Sequence, residues 1–104
     1  MIQLWGTMHI ISRKPLREFS EKHPPAKSPL DTWFADVSRA EWASFADIRA
    51  AYGSADVVAG NRVIFNIGGN KYRLVVKVAY NCGKVFVRFV GTHAEYDKID
   101  ARTI

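Results

Sequence analysis

Between Arg62 and Asp97 three runs of β-branched and aromatic residues are cut by two Gly/Asn clusters, and no other feature restricts the fold as much. Consecutive strands joined by tight turns read in this way, so a three-stranded antiparallel meander is expected. Gly68-Gly69 can take the positive φ angles of a two-residue hairpin turn flanked by Ile67 and Asn70. Asn81 to Lys84 supplies a second, longer turn with Gly83 as its permissive residue.

The pairing imposed by these turns decides which side chains share a face, because strand side chains alternate. With Ile67 opposite Asn70, residues Val63, Phe65 and Ile67 lie with Tyr72, Leu74, Val76 and Val78 on a core face. With Tyr80 opposite Val85, residues Val85, Val87 and Phe89 join them. The opposite face then carries Asn66, Arg73, Lys77 and Arg88, with Lys77 directly across from Arg88. Like charges placed opposite each other destabilise a strand pair, which points to an anionic ligand there. Equally, long cations are a common solvent side for a half-buried antiparallel sheet.

At 104 residues, nearly half of them apolar, the chain has the size of one domain with a real core. No apolar run reaches the length of a membrane span, and the amino end lacks a secretory pattern, so a cytoplasmic protein with no membrane partner is expected. Cys82 stands alone, which excludes an internal disulfide, and in a predicted turn with no metal-ligand spacing around it Cys82 reads as a turn residue. The charge is uneven. Residues 1–60 carry seven Lys/Arg and seven Asp/Glu, whereas residues 61–104 carry eight against three, so the whole excess of +5 lies on the strand half. Such a field attracts nucleic acid or an acidic protein and does not by itself choose between them.

Residues 1–7 precede a second methionine, Met8, and read as an amino-terminal extension to a domain over 8–104. Met8 to Ser12 is a short apolar run suited to a further strand. Ser12 can cap a helix with Pro15 in its first turn, ending at His23 before Pro24 and Pro25. A second helix over 26–39 would turn Leu30, Trp33, Phe34 and Val37 to the sheet. A third, from Glu41 to Tyr52, has a weak Ser44/Asp47 capping pattern and stops at Gly53. Residues 54–61 read as a loop.

Past the third strand, Thr92-His93-Ala94-Glu95 fits a capping box, with Thr92 as the cap and Glu95 its reciprocal partner. A short helix therefore starts where the basic strand ends, and its free N–H groups add to an anion-attracting end. His93 and Tyr96, three apart, share one side of it. Read structurally, these two are a helix-start residue and an aromatic anchoring the helix to the sheet.

The run Phe65-Asn-Ile-Gly-Gly-Asn-Lys-Tyr-Arg-Leu74, followed by an Arg-containing strand and Gly91-Thr-His-Ala-Glu-Tyr-Asp97, resembles the HigB-type mRNA interferase toxins of the RelE/ParE toxin–antitoxin superfamily. The match runs from Met8 to about Ile99, with two separated motifs in order. The resemblance implies an α+β, RelE-like fold, helices packed on one face of a small antiparallel sheet with a short carboxy-terminal helix. It implies a ribosome-dependent endoribonuclease, without metal or other cofactor, acting on mRNA. The implied partner is a cognate antitoxin with a helix-turn-helix region, operator DNA being contacted only through that complex. Carried over residue by residue, His93, Tyr96, Arg73 and Arg88 would be catalytic, and Lys77, Asn66 and Lys71 would bind RNA. A ParE-like toxin that poisons gyrase by binding alone, and a degenerate RNA- or DNA-binding module, are the alternatives.

Overall fold

A computed structural model describes residues 8–104, and the expected extension over 1–7 lies outside the described residues. Chain order is β1 (His9–Ile11), α1 (Lys14–Lys22), a 3₁₀ turn (Pro24–Ala26), α2 (Lys27–Arg39), α3 (Phe45–Ala51), β2 (Asp56–Val58), β3 (Arg62–Ile67), β4 (Tyr72–Ala79), a 3₁₀ turn (Tyr80–Cys82), β5 (Lys84–Thr92) and α4 (His93–Tyr96). The meander is β3-β4-β5, and the whole sheet runs β1-β5-β4-β3-β2. Because β1 pairs with β5 in parallel, the sheet is mixed rather than purely antiparallel. Residues 56–58, expected as loop, pair with the outer edge of β3. An unpaired strand edge offers a row of free N–H and C=O groups, and even three residues with weak β-pattern can satisfy it.

Local chemistry explains most helix limits. Ser12 has a φ of 73° and lies outside α1, so Arg13 takes the cap position and the expected Ser12 cap is not made. Pro15 sits in the first turn as expected, where its missing N–H is harmless. The third helix starts at Phe45, not Glu41, and Ser44 makes no side-chain cap bond. Instead Asp47 accepts from the Ala43 N–H at 2.8 Å.

Both hairpins close two residues away from the simplest reading. Ile67 pairs with Tyr72, and Ala79 with Lys84. A shift of two leaves every side chain on its own face. The inner face therefore carries Val63, Phe65, Ile67, Tyr72, Leu74, Val76, Val78, Val85 and Val87, packed under Leu16, Phe19, Leu30, Trp33, Val37 and Ile48 of α1–α3. Trp33 meets the Phe65 ring edge-on at 5.5 Å between centroids.

A shift of one residue has the opposite effect, and it occurs in the middle of β5. Val76 faces Val87, but Val75 faces Phe89, leaving Arg88 without a cross-strand partner in a β-bulge. Phe89 is thereby turned to the outer face, contrary to its expected place in the core, while Val90 packs with the inner cluster. On the outer face Ile64, Val75 and Phe89 make a second apolar patch, covered by Tyr96, Ile99, Ala101 and Ile104 of α4 and the tail behind it. The Arg62 Nε–H donates to the Ile104 carbonyl at 2.6 Å and ties that tail to β3. The outer face is thus half covered, not wholly solvent-facing.

Ile64 discriminates between a covered and an open outer face. Beneath the tail, Ile64→Ala should cost about 2–5 kcal/mol in urea unfolding. On an open surface the same change would stay within about 0.5 kcal/mol.

Candidate nucleic-acid interface

Strand register fixes where each expected site residue lies. Across the upper end of the sheet run Asn66, Arg73 and Gly91 in one row, each paired to the next. Arg73 is the one buried charged side chain among the described residues. Its Nη1–H groups donate to the carbonyls of Asn70 at 3.0 Å and Tyr72 at 3.3 Å, so the guanidinium is held against the β3–β4 hairpin. Fully sealed, unpartnered side-chain polar atoms are confined to Trp33 Nε1 and Tyr80 OH among the described residues. Nε and Nη2 of Arg73 have no hydrogen-bond partner among the described residues and are not fully sealed from solvent. A fixed guanidinium loses less entropy on binding a phosphate than a floating one.

The β4–β5 ladder continues past the row into α4. The His93 N–H donates to the Lys71 carbonyl at 3.2 Å, which joins the start of α4 to the hairpin loop that also holds Arg73. The capping box is formed in full: Glu95 N–H donates to Thr92 Oγ1 at 3.2 Å and Thr92 N–H to Glu95 Oε1 at 2.8 Å. Glu95 is thereby committed to the cap, as the spacing implied. His93 is exposed, and its Nδ1 lies 3.3 Å from Asp97 Oδ2. A carboxylate at that nitrogen favours the tautomer that leaves Nε2 outward with its lone pair. Sequence reasoning did not single out Asp97, although the i, i+4 spacing from His93 was legible once the helix start was known.

The other expected residues separate from this group. Tyr96 is half-buried and packs in the outer apolar cluster, its ring 6.4 Å from that of Phe89. Asn66 donates to the Ser54 carbonyl at 3.4 Å. Lys71 is exposed in the hairpin loop. Lys77 sits at the lower end of β4, between Arg62 on β3 and Phe86 on β5, so the expected pairing of Lys77 with Arg88 does not occur. The hairpin closure is the reason: Ala79 rather than Tyr80 pairs across the turn, which sets Phe86 opposite Lys77, while the bulge further along takes Arg88 out of the ladder, its guanidinium 6.0 Å from the Phe86 ring centre. Four residues of β4, about 13 Å, separate Arg73 from Lys77. The basic face is therefore two groups, with the covered apolar patch between them. Among the described residues no group of three or more His, Cys, Asp or Glu could hold a metal ion. No helix among them is long and apolar enough to cross a membrane.

The chain is similar to known proteins over most of its length. A family model described as the RelE-like toxic component of a toxin–antitoxin system, HigB_toxin, matches residues 26–99, a span that contains every candidate residue above. The chain is 32% identical over 92 residues to the mRNA interferase toxin HigB of Escherichia coli strain K12, covering 86% of this chain and 88% of that protein. It is similarly 32% identical to the mRNA interferase HigB of Shigella flexneri. A further mRNA interferase HigB, from Escherichia coli O6:H1, is 27% identical over 94 residues, 88% of this chain and 91% of that protein.

The start of α4 is held by one box, so Thr92→Ala should lower stability by about 1 kcal/mol in urea or thermal unfolding. A change below the error of the measurement would mean that the box does not fix α4.

Proposed function

The chain belongs to the HigB family of RelE-like toxins of toxin–antitoxin systems, and from that membership we propose a toxin that arrests translation as an mRNA endoribonuclease. The relatives carry the name mRNA interferase over nearly the whole length shared with this chain. The supporting observation in the structure is the upper group: an oriented guanidinium and an exposed imidazole joined through one hairpin loop. Residues 8–104 constitute the toxin domain in this reading. Its substrate is mRNA on the ribosome, and its site of action is the cytoplasm. Its inhibitor is a cognate antitoxin whose helix-turn-helix region carries the complex to operator DNA.

The chemistry follows from the groups at hand. The RNA 2′-oxygen attacks the adjacent phosphorus, forming the O2′–P bond as the P–O5′ bond breaks. The 2′-hydroxyl proton must leave and the departing O5′ must gain one. His93, with Nε2 free and Nδ1 directed at Asp97, serves one of these transfers. Arg73 receives the non-bridging oxygens, whose charge grows at the transition state. Tyr96 anchors α4 beneath His93 and stands close enough in sequence to reach the same substrate. Asn66 and Lys71 border the scissile phosphate. Lys77 and Arg88, at the far end, grip the chain rather than the reacting phosphate.

Expression of the parent should arrest growth, with new transcript ends mapped by primer extension. Arg73→Ala and His93→Ala should each lower cleavage about 100- to 1000-fold. Retention of full arrest by the double variant would remove both residues from the mechanism. Asp97→Ala, acting only through the orientation of His93, should reduce kcat by a smaller factor and shift the pH profile, leaving KM unchanged. An effect on KM alone would mean that Asp97 contacts substrate rather than His93.

A further inference from the structure

Phe86 stands apart from both apolar clusters. Among the described residues every other aromatic ring packs in or against one of the two apolar clusters, and Phe86 belongs to neither. Its register places it on the outer face, between Ile11 of β1 and Lys77 of β4, with Arg62 next along the same row. The ring is half-buried, with the Arg88 guanidinium 6.0 Å from its centre. Arg62 and Lys77 stand directly opposite each other, a like-charge pair that costs stability across a strand pair. Neither Lys77 nor Arg88 makes an ion pair with a side-chain carboxylate among the described residues. Arg62 is further held in place by the Ile104 carbonyl.

An aromatic ring bordered by cations is the arrangement that holds single-stranded nucleic acid without reading its sequence: the ring stacks a base while the cations take the phosphates. Hairpin closure at Ala79–Lys84 sets Phe86 opposite Lys77, and the bulge leaves Arg88 outside the ladder with its guanidinium over the Phe86 ring. We propose that Phe86, with Lys77, Arg88 and Arg62, is a stacking subsite for a nucleotide of the same RNA strand a few residues away from the cleaved link. The subsite lies about 13 Å along β4 from Arg73, so it engages flanking chain and not the reacting phosphate. This rests on the nuclease reading for the identity of the strand, and on the lower row alone for the grip.

The test is binding of 2′-O-methyl oligoribonucleotides, which cannot be cleaved by 2′-oxygen attack, measured by fluorescence anisotropy. Two lengths are compared, a dinucleotide and an oligomer of about eight residues. The parent should bind the longer one more tightly. Phe86→Leu keeps apolar bulk beneath the Arg88 and Lys77 stems but removes the stacking face. It should weaken the long oligomer roughly 5- to 100-fold and leave the dinucleotide unchanged. Lys77→Gln should reduce the slope of log affinity against log salt by about 0.7, as for one single-strand phosphate contact. His93→Ala should retain the whole length dependence. Equal binding of the long oligomer by parent, Phe86→Leu and Lys77→Gln overturns the subsite, as does an equal loss at both lengths. Unchanged RNA binding with lost affinity for an acidic antitoxin segment assigns the row to a protein partner and also overturns it. If instead the parent fails to cleave ribosome-bound transcript while the length dependence and its loss in Phe86→Leu persist, the nuclease reading falls and the subsite stands.

Discussion

The β4–β5 pairing, with its one-residue shift at Val75/Val76, is the constraint from which the rest of the molecule follows. Below the shift the two strands keep the parity set by the Tyr80–Cys82 turn, and Val78, Val76, Val85 and Val87 all enter the main core. Above it the parity is reversed on β5 alone. That reversal sends Phe89 outward, gives the tail an apolar surface to cover, and leaves Gly91 opposite Arg73. A Cβ at Gly91 would run into the Phe89 ring and Glu95 Oε1, so bare backbone is required there. Bulges bend the strand that carries them and re-aim its side chains, and here the re-aimed residues are Arg88 and Phe89.

Two layers of packing hold the upper group in place. From within, α1–α3 press on the inner face and fix β4. From without, Tyr96, Ile99, Ala101 and Ile104 clamp α4 over Ile64, Val75 and Phe89. The tail is further stiffened by Arg102, which donates to both oxygens of Asp100 at 3.0 Å and holds that carboxyl below the usual carboxylate range. A site whose groups must meet one phosphate within a fraction of an ångström needs such support on both sides. His93 is exposed, but the helix beneath it is anchored.

Much of this was legible in the residues, and the remainder was not for definite reasons. The meander, its inner face, the positions of the first three helices and the capping box all follow from periodicity and turn chemistry, which are local. An offset of two residues at each hairpin leaves the faces intact, because faces repeat every two, but at the second hairpin it changes the partner of Lys77 from Phe86 to Arg88. The bulge could not be read: Val85-Phe86-Val87-Arg88-Phe89-Val90 alternates well enough to hide one unpaired residue. Without the bulge, simple alternation puts Phe89 in the core. The partners of Lys77 are Arg62 and Phe86, of which neither had drawn notice, since a lone Arg at a strand start and a Phe in a strand both look ordinary. Residues 56–58 carry too little pattern in three positions to read as a strand. The motif resemblance supplied the roles of His93 and Arg73; spacing showed only that they could approach each other.

The central claim is that this surface orients an RNA 2′-oxygen for attack on its own phosphate between Arg73 and His93. Its most direct measurement is cleavage of ribosome-bound mRNA carrying a single 2′-deoxy substitution at the nucleotide that precedes the cut. The account predicts that this one atom abolishes cleavage there, while the unsubstituted message yields fragments with a 2′,3′-cyclic phosphate and a 5′-hydroxyl. Undiminished cleavage of the deoxy message, or fragments bearing a 5′-phosphate, would contradict it.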